Sequence, residues 1–495
     1  MVLARININP GTKTGEFSQS WHKTFGVGSA FLLLRKDLLS HVDDVHDTIG
    51  FEYLRFHGIL SDDVGLVQYA DKNGEEMDED CLNFTNVDAI YDELRDMNIK
   101  PFVEFSFMPK YLAGGETQVF KYPSNVTPPR SFSQWQSLLS LLVTHWKERY
   151  GIDELRDWYF EIWNEPNLIN FWTGTQAEYF SLYKYSAEAI KAIDHQLKVG
   201  GPASSDGKWI TPFLKFCNDE SVPVDFVSTH VYQSDKPLGG TGFVSGNYIS
   251  DLVARVRAEI EASAFPALEL HFTEWGSTSS PNDLMHDTSN QAAFICDAIA
   301  SVNDQVTSFS YWVVSDIFEE LGLPDTEFHG GFGIETVHGV RKPSFNAFYF
   351  LKQLGKDICE VQLEDLPEGI KILATRTSND VRLLAWYFKD PKVKIVPEPI
   401  TITLRVEKAG VLANQDLDFS ILEISKEHGN PYEAWKKMES PRNPTPDQIE
   451  DLKQFGEIDE EEENERGNAT QDDEQLTVDF ELGPESVKYI RIYKG

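Results

Sequence analysis

Residues 158–167 read WYFEIWNEPN, and this stretch decides how the rest of the 495-residue chain is interpreted. The aromatic and apolar run WYFEIW predicts a buried strand over 158–163, and NEPN predicts a loop directly after it. Polar side chains at the end of a buried strand mark the functional edge of a parallel sheet, where the carboxyl ends of the strands meet. Asn164 and Glu165 are therefore the first candidates for a functional site.

Seven further runs in the first 350 residues have the same apolar or aromatic texture and alternate with stretches of helical period. These predicted strands cover residues 23–28, 53–57, 101–107, 198–201, 225–232, 268–275 and 308–316. Amphipathic segments between them, such as 135–149, 177–193 and 289–302, predict helices bounded by Gly, Pro, Ser or Asn. Eight strands with interposed helices are typical of the α/β class and predict a (β/α)8 TIM barrel over residues 14–350.

After about Gly355 the sequence pattern changes to short runs in which apolar and polar residues alternate, such as KILATRT, VRLLAWYF, ITITLRV, LTVDFEL and KYIRIYK. Period-two runs separated by turn residues predict a small β-sandwich, to which we assign residues 1–13 and 351–495 as an accessory domain. A helical and acidic insertion interrupts it around 430–470. Within the insertion, residues 457–465 (EIDEEEENE) are expected to form a solvated loop.

Charge and composition exclude several classes of function. The chain carries 80 Asp and Glu against 44 Lys and Arg, a net charge of −36, so a nucleic-acid partner is not expected. The amino terminus has no apolar run typical of a secretion signal, and no segment has the length and apolarity of a membrane span. The four cysteines lie far apart without metal-site spacing. We expect a cytoplasmic protein without disulfides.

The second candidate for chemistry is Glu274, in the segment TEW at the end of the seventh predicted strand. Glu165 and Glu274 would converge on one pocket, the arrangement that glycosidic bond cleavage requires. An ionised Glu274 would attack the anomeric carbon, while a protonated Glu165 would donate its proton to the leaving oxygen. Asn164 would hydrogen-bond the sugar 2-hydroxyl. The structural alternative is that Glu165 caps a helix before Pro166 and that Glu274 pairs with a buried arginine.

Further strand ends carry side chains suited to sugar binding. His57 ends the second strand, His230 and Tyr232 end the sixth, and Trp312 lies on the eighth. These residues offer imidazole and phenol hydrogen bonds and an indole floor for a pyranose, and Tyr232 could also orient Glu274.

The loop after the eighth strand offers Glu319 and Glu320, each with the alternative of a surface salt bridge. It also contains FHGGFG (328–333), whose glycines predict close backbone approach to a ligand.

Other polar clusters are not assigned a role. The segment HVDDVHD (41–47) is interpreted as the solvated face of a helix rather than a metal site, and the glycine pairs lack phosphate-loop spacing. We therefore expect neither a metal nor a cofactor.

The motifs together resemble the β-xylosidases of glycoside hydrolase family 39 over nearly the whole chain. The resemblance rests on YLRFHGILSDDVG, PFVEFSFMPK, NVTPP, FEIWNEPNL, KVGGPA, PVDFVSTHVY, HFTEW, SFSYWVVSDIFEE, FHGGFG and EHGNPY. It implies a retaining exo-β-1,4-xylosidase of the 4/7 barrel type that releases xylose from xylo-oligosaccharides, with Glu165 as acid/base and Glu274 as nucleophile. It further implies sugar contacts from His57, Asn164, Phe171, His230, Tyr232, Trp312 and Glu320, although Phe171 could equally be a core aromatic.

Two departures from the family pattern bear on these expectations. Gly276 stands after TEW where a polar residue such as Asn is expected, which leaves fine specificity open. The chain stops at Gly495, whereas similar proteins often carry a carboxyl-terminal extension linked to tetramer formation, so both a homo-oligomer and a monomer stay open.

Several alternative functions stay open beside the xylosidase. They are α-L-iduronidase, β-glucosidase, arabinofuranosidase and a catalytically inactive carbohydrate-binding barrel. An iduronidase pocket should offer Lys or Arg to the substrate carboxylate, and no candidate strand-end residue is basic. An inactive barrel does not account for the presence of both Glu165 and Glu274.

Overall fold

The computed structural model describes residues 3–69, 77–234, 243–318, 320–394, 397–413, 416–458 and 468–495. Its strands are β1 Leu3–Glu16, β2 Thr24–Ser29, β3 Tyr53–His57, β4 Lys100–Phe105, β5 Gln118–Val119, β6 Ser124–Asn125, β7 Tyr159–Ile162, β8 Lys198–Ser205, β9 Phe226–Tyr232, β10 Glu269–Gly276, β11 Ser308–Tyr311, β12 Asp357–Glu364, β13 Ile370–Arg376, β14 Asp380–Tyr387, β15 Ile400–Glu407, β16 Leu417–Ile424, β17 Asn468–Gln471, β18 Gln475–Leu482 and β19 Ser486–Lys494. Its α-helices are α1 Lys36–Ile49, α2 Thr85–Asp96, α3 Phe132–Tyr150, α4 Ile152–Asp157, α5 Gln176–Ile193, α6 Ile210–Asp219, α7 Tyr248–Glu261, α8 Ser289–Val302, α9 Pro343–Gln353, α10 Pro431–Lys437 and α11 Pro446–Gly456.

Eight strands close into a parallel barrel in the order β10-β11-β2-β3-β4-β7-β8-β9, with helices between successive strands. The predicted (β/α)8 barrel is thus confirmed. Parallel strands bring their carboxyl ends to one face of the barrel, and the loops that follow them surround its mouth. One of these loops, after β4, contains the short antiparallel hairpin of β5 and β6.

Local sequence signals set the element boundaries. The side chains of Thr175 and Glu178 form a reciprocal capping box at the start of α5. The start of α3 is capped by the Ser131 side chain, which accepts from the backbone N–H of Gln134. The helix α8 has the predicted bounds, whereas β11 ends before the predicted limit at 316. Its continuation forms an isolated bridge between Ser315 and Glu335 instead.

The accessory domain is one continuous nine-stranded sheet, in the order β16-β19-β14-β13-β12-β1-β15-β18-β17. The sheet folds over on itself: Cα atoms of β18 come within 8 Å of those of β14 and β19, which are five and six strands away. Both halves therefore bury their apolar side chains in one core, which includes Ile6, Leu383, Leu404 and Ile490. The strand β1 lies inside this sheet, antiparallel to β12 and parallel to β15.

The helices α10 and α11 form the small helical insertion between β16 and β17 and pack against the barrel. The side-chain amide of Asn346, on α9, donates to the carbonyl oxygens of Gly429 and Gly456 at 3.3 and 2.8 Å. Phe328, in the loop after β11, packs against Tyr432 and Trp435. The acidic stretch 457–465 lies largely outside the described residues. Among the described helices, none combines the length and the apolarity that crossing a membrane requires.

Candidate active site

Glu165 and Glu274 meet at the mouth of the barrel. Glu165 follows β7 and Glu274 lies near the end of β10, and a carboxyl oxygen of each lies within 4.8 Å of the other. Both residues are buried, with 7% and 5% of their surface exposed. The two strand-end glutamates that the sequence singles out therefore face each other across a narrow gap.

The backbone after β7 turns sharply to present Glu165. Trp163 and Glu165 have φ angles of +72° and +43°, in the left-handed region that side chains other than glycine rarely occupy. The Trp163 indole donates to the carbonyl oxygen of Phe171 at 2.8 Å, and the Glu165 N–H donates to that of Ala203 at 2.8 Å. These bonds hold the strained turn in place. Local strain maintained by surrounding contacts is a common property of functional sites.

The surroundings of Glu165 favour its protonated form. Burial raises the pKa of Glu165 to about 7. Its Oε1 lies 3.0 Å from Nδ1 of His230, and burial lowers the pKa of that histidine to about 4, so the ring is neutral. Nε2 of His230 faces the guanidinium of Arg55 at 3.4 Å and must accept, because arginine only donates. The ring proton therefore lies on Nδ1 and is donated to Glu165.

The other glutamate, Glu274, accepts hydrogen bonds on both carboxylate oxygens. Arg55 Nη1 donates to Oε1 and the Tyr232 hydroxyl donates to Oε2, each at 2.9 Å. Burial raises the pKa of Tyr232 well above its ordinary value, so the residue stays a phenol. A Cβ at Gly276 would lie 3.2 Å from the Tyr232 ring, so the departure from the family pattern leaves room for this tyrosine.

The centre of the network is Arg55, which lies within β3 and is fully buried. In addition to Glu274 it binds Glu161 and Glu104, at 2.6 Å each, and donates to Oδ1 of Asn164 at 3.1 Å. Burial opposes the charge of Arg55, but the three carboxylates outweigh burial and raise its pKa. The arginine pairing that we considered as a structural alternative for Glu274 is present, and it orients the carboxylate toward the pocket.

His57, at the end of β3, forms a second positive charge beside Glu274. Its Nδ1 lies 2.8 Å from Glu104, and its Nε2 lies 3.7 Å from Glu274. Burial lowers the pKa of His57, but the carboxylate of Glu104 outweighs burial and raises it to about 9. His57 is therefore an imidazolium at neutral pH.

One wall of the pocket is the indole of Trp312, which directly follows β11. Its ring centroid lies 4.7 Å from that of His57, and Phe318 and Phe332 support it in a small cluster with Tyr232. The ring fits because residue 26, on β2, is glycine: a Cβ there would lie 2.4 Å from Cε3 of Trp312.

A second aromatic group also lies close to His57. The half-buried Phe171 is 5.6 Å from Phe120, and Phe120 is 6.2 Å from His57, measured between ring centroids. Phe107 lies beneath both phenylalanines. Phe171 therefore reaches the site through Phe120, a residue of the β5–β6 hairpin that the sequence interpretation did not single out.

The loop after β11 reaches the same hairpin. The carbonyl oxygen of Glu320 accepts from the backbone N–H of Lys121 at 2.8 Å, which places Glu320 at the mouth of the barrel. Glu319 lies outside the described residues. Because β4 and β11 are separated by two other strands in the barrel, this bond carries the chain across one side of the mouth.

The glycines of FHGGFG pack against protein, not against open pocket, which corrects the expectation for this loop. A Cβ at Gly331 or Gly333 would lie within 2.3 Å of atoms of Asp316. Asp316 and Asp287 bind the ammonium of Lys342 at 2.6 and 2.7 Å, and all three residues are fully buried. The ion triad thus fixes the loop, and the glycines allow the loop backbone to pack closely against Asp316.

The cluster at 41–47 agrees in part with its interpretation as a solvated helix face, since Asp43 and Asp47 are exposed on α1, but His41 does not. His41 is buried, and its Nδ1 bonds the Ser315 hydroxyl at 2.8 Å. Its ring packs inward from α1 against the segment that follows β11. The His41 side chain therefore links α1 to the barrel.

Among the described residues, Glu165, His230 and Glu274 form the one group whose donor atoms have the spacing of a metal site. Their surroundings fit it poorly, because the cationic side chains of Arg55 and His57 bind or border the Glu274 carboxylate and would repel a second cation. The same charges suit a carboxylate that must stay ionised beside a carboxylic acid.

Comparison with known proteins agrees with this geometry. Residues 4–472 match the model of glycosyl hydrolases family 39. A β-xylosidase of Geobacillus stearothermophilus is 39% identical over 458 residues, which are 90% of this chain and 88% of that protein. A β-xylosidase of Caldicellulosiruptor saccharolyticus is 36% identical over 501 residues, covering 100% and 99%. The structure of a monomeric β-xylosidase from Caulobacter crescentus CB15 superimposes with a TM-score of 0.87 at 32% identity, over 99% of both chains.

Proposed function

Because the chain belongs to glycosyl hydrolase family 39 and is therefore a glycoside hydrolase, we propose that it is an exo-acting, retaining β-1,4-xylosidase. Its substrates are short xylo-oligosaccharides, from which it releases xylose at the non-reducing end. The observation that carries the proposal is the close approach of Glu165 and Glu274. Burial favours the protonated form of Glu165, whereas Glu274 is paired with Arg55.

In the first step, Glu274 attacks the anomeric carbon and Glu165 gives its proton to the glycosidic oxygen, which leaves with the aglycone. In the second step, water attacks the glycosyl-enzyme, Glu165 takes the water's proton, and Glu274 is released. Retaining enzymes have their carboxyl groups about 5–5.5 Å apart, whereas inverting enzymes need about 6.5–9.5 Å. The approach within 4.8 Å supports retention.

His230 determines which oxygen of Glu165 acts in these steps. Its Nδ1–H donates to Oε1, so the carboxylic proton is best carried on Oε2 and faces the leaving group. When Glu165 becomes a carboxylate after the first step, the same N–H stabilises its charge. The neutral imidazole does not have to change its protonation state at either step.

The sugar pocket combines hydrogen-bonding side chains with aromatic walls. His57, as an imidazolium, can donate through Nε2 to a sugar hydroxyl, and Trp312 offers its indole face to the pyranose. The residues that we propose to contact the sugar are His57, Asn164, Phe171, His230, Tyr232, Trp312 and Glu320. Phe171 would border the sugar together with Phe120, against which it packs.

Exo action is supported by the crossing of the mouth at Lys121 and Glu320. A chain of sugars that passed through the site would have to cross this connection, so one side of the barrel mouth forms the end of a pocket. The terminal xylose then occupies the pocket, and the remainder of the substrate extends through the open side.

The choice of xyloside is supported by the charges in the site. A uronic acid would need a cation for its carboxylate, but Arg55 is already bound to three glutamates and His57 is paired with Glu104. This argues against iduronidase activity. We further propose that the enzyme acts in the cytoplasm, because Cys81, Cys217, Cys296 and Cys359 are buried and unpaired.

The deciding experiment is hydrolysis of a panel of aryl glycosides, namely β-xyloside, β-glucoside, α-arabinoside and α-iduronide, with NMR of the first-formed sugar. We expect the β-xyloside to be preferred and β-xylose to appear first. Glu274→Ala should abolish turnover of all xylosides, and Glu165→Ala should retain more activity on xylosides with good leaving groups. First-formed α-xylose, or wild-type activity in both variants, would contradict the proposal.

A further inference from the structure

One face of the barrel helix α8 is attached to the accessory sheet. Asn290, Phe294 and Asp297 are spaced i, i+4 and i+7, so they lie on the same side of the helix. The Asn290 side chain donates to the carbonyl oxygen of Lys389 at 2.9 Å and accepts from its N–H at 3.1 Å. Asp297 accepts from the indole of Trp386, on β14, at 3.1 Å. The helix is therefore bonded to the sheet on either side of Phe294.

Phe294 belongs to a cluster of three phenylalanines that joins separate parts of the chain. Its ring centroid lies 5.8 Å from that of Phe388, which directly follows β14, and 6.0 Å from that of Phe243, in the segment between β9 and α7. Phe243 and Phe388 are also 5.8 Å apart. On the barrel side, the Phe294 ring lies 6.3 Å from the indole of Trp275. The cluster thus extends from the accessory sheet to the residue that follows Glu274.

Trp275 connects this cluster with the nucleophile. Trp275 and Glu274 are neighbours on β10, and successive side chains of a strand point to opposite faces, so the indole packs outward while the carboxylate points into the barrel. The indole is fully buried, stacks on Phe309 at 4.3 Å and donates to the Phe309 carbonyl oxygen at 3.1 Å. Phe294 and Phe309 together fix the indole, and the indole fixes the backbone that carries Glu274.

The same cluster supports the strand end that carries Tyr232. The next residue, Gln233, donates its N–H to the carbonyl oxygen of Gly276 at 3.0 Å and accepts from the Val244 N–H at 2.7 Å. Phe243 directly precedes Val244, and its ring is held by the other two phenylalanines. The accessory sheet therefore supports the end of β9, whose tyrosine binds the nucleophile, as well as the end of β10.

Small displacements of Glu274 are costly for the chemistry. The attacking oxygen has to lie about 3–3.5 Å from the anomeric carbon and in line with the bond that breaks, and a misplacement of 1 Å can slow a reaction about 100-fold. Interiors are close-packed, so removal of a ring from a buried cluster lets its neighbours relax into the space. A change at Phe388 would thereby reach Glu274.

We propose that Phe388 is a positioning residue of the active site, through which the accessory sheet holds Phe294, Trp275 and hence Glu274 in the geometry required for attack. This inference rests on the proposed function and assigns the accessory domain a part in the first chemical step. Loss of the Phe388 ring should slow the attack by Glu274 much more than it weakens sugar binding.

The test is inactivation by 2,4-dinitrophenyl 2-deoxy-2-fluoro-β-xyloside. A carboxylate oxygen of Glu274 bonds to the anomeric carbon, and dinitrophenolate leaves with the electron pair of the broken bond, so no proton from Glu165 is needed. The rate constant of inactivation, kinact, reports the attack, and the concentration for half-maximal rate, KI, reports binding. In Phe388→Ala we expect kinact to fall about tenfold and KI to change less than about twofold. An unchanged kinact would overturn the proposal.

A conservative variant and a matched control separate positioning from general stability. Phe388→Leu refills most of the space and should recover most of kinact. The control is Tyr489→Ala, on β19, which removes an aromatic contact of the same sheet with Phe350 on α9, at 5.6 Å. It should lower the unfolding temperature and leave kinact unchanged. Equal losses of kinact in Phe388→Ala and Tyr489→Ala would contradict the proposal, because any loosening of the sheet would then have the same effect.

A second variant keeps the test decisive if Phe388→Ala does not fold. Asn290→Ala removes both hydrogen bonds to Lys389 and leaves the three rings in place. We expect a smaller fall in kinact, about threefold, because the sheet is loosened at the same helix. Wild-type kinact in Asn290→Ala together with wild-type kinact in Phe388→Leu would overturn the proposal.

Failure of this proposal differs from failure of the proposed function. If the aryl glycoside panel shows another preferred sugar, the xylosidase assignment is wrong, and the variants are compared with the 2-fluoro derivative of that sugar. If the β-xyloside is preferred and kinact does not depend on Phe388, the xylosidase assignment stands and the positioning role does not. If no glycoside of the panel is hydrolysed, both are wrong.

Discussion

Nδ1 of His230 lies 3.0 Å from Oε1 of Glu165, and the direction of this hydrogen bond is set from outside the pair. The ring is neutral because it is buried, and its Nε2 is turned to a guanidinium that can only donate. One histidine thereby connects the acid to the charge network of the nucleophile. Glu165 and Glu274 are consequently joined by hydrogen bonds through His230 and Arg55.

The activity should be lost on the alkaline side as Glu165 ionises. Burial raises the pKa of Glu165 to about 7, so the acid form dominates below pH 7 and disappears above it. We expect kcat/KM for xylobiose to fall above about pH 7. Glu165→Gln should have little activity on xylobiose, and its residual activity on an activated aryl xyloside should lack this alkaline limb. An alkaline limb that persists in Glu165→Gln would assign the titration to another group.

Replacement of His230 should move the same limb upward. The Nδ1–H bond favours the ionised form of Glu165, so its loss in His230→Ala should raise the pKa of that carboxyl further. We expect the alkaline limb of an aryl xyloside profile to shift to higher pH and kcat to fall about 10- to 100-fold. A shift to lower pH would mean that Nδ1 does not donate to Glu165. The pH profile should be measured on xylosides with good and with poor leaving groups. Only the latter need the proton of Glu165, so the comparison separates an effect on the acid from an effect on sugar binding.

The hydroxyl of Tyr232 should contribute to kcat through the orientation of Glu274. Tyr232→Phe removes a 2.9 Å hydrogen bond to the carboxylate, and a bond to a charged group contributes about 1.5–3 kcal/mol. This corresponds to a loss of roughly 10- to 150-fold in kcat/KM for an aryl xyloside. The control is Tyr311→Phe, on β11, whose buried hydroxyl accepts from Gln291 instead. Equal losses in both variants would indicate a general packing effect.

The fold and the two glutamates could be predicted because they depend on local patterns: period, turn residues and position at a strand end. The charge network could not, because Arg55, Glu104 and Glu161 lie within strands, where the pattern does not tell which charged side chains meet inside the barrel. A signal was present, since each is a lone charge in an apolar run that has to be buried. The position of Phe120 could not be predicted either. The neighbouring Lys121 bonds Glu320, which is far away in the sequence, and neither segment has a sequence pattern that indicates this bond.

The glycine at position 26 should be needed for the indole wall. Gly26 lies on β2, against which the Trp312 ring packs. In Gly26→Ala the new methyl group would lie 2.4 Å from Cε3 of that ring. The ring has to move, so we expect KM for xylobiose to rise at least several-fold with a smaller change in stability. Gly483→Ala in the accessory domain, where a Cβ meets no atom within 4 Å, is the control. An unchanged KM in Gly26→Ala would mean that Trp312 does not line the sugar site.

The ion triad behind the FHGGFG loop should show a stability that depends on pH once its cation is removed. Lys342→Met leaves Asp287 and Asp316 buried without Lys342, and breaking a buried pair costs about 3–5 kcal/mol. Burial already raises the pKa of Asp316 to about 6, despite the opposing lysine, and raises that of Asp287. Loss of the lysine raises both further, so the variant folds with protonated acids.

Because the folded variant then binds more protons than the unfolded chain, its stability falls as the pH rises above about 3.9, the value for an unfolded Asp. We expect the deficit of Lys342→Met relative to wild type, from urea unfolding, to be smaller at pH 5 than at pH 8. Lys356→Met is the control, because its ion pair with Glu16 is exposed and such pairs contribute about 0–1 kcal/mol at most. A deficit that is equal at both pH values would mean that the two aspartates remain ionised without Lys342, against the free energy that burial of unpaired charge requires.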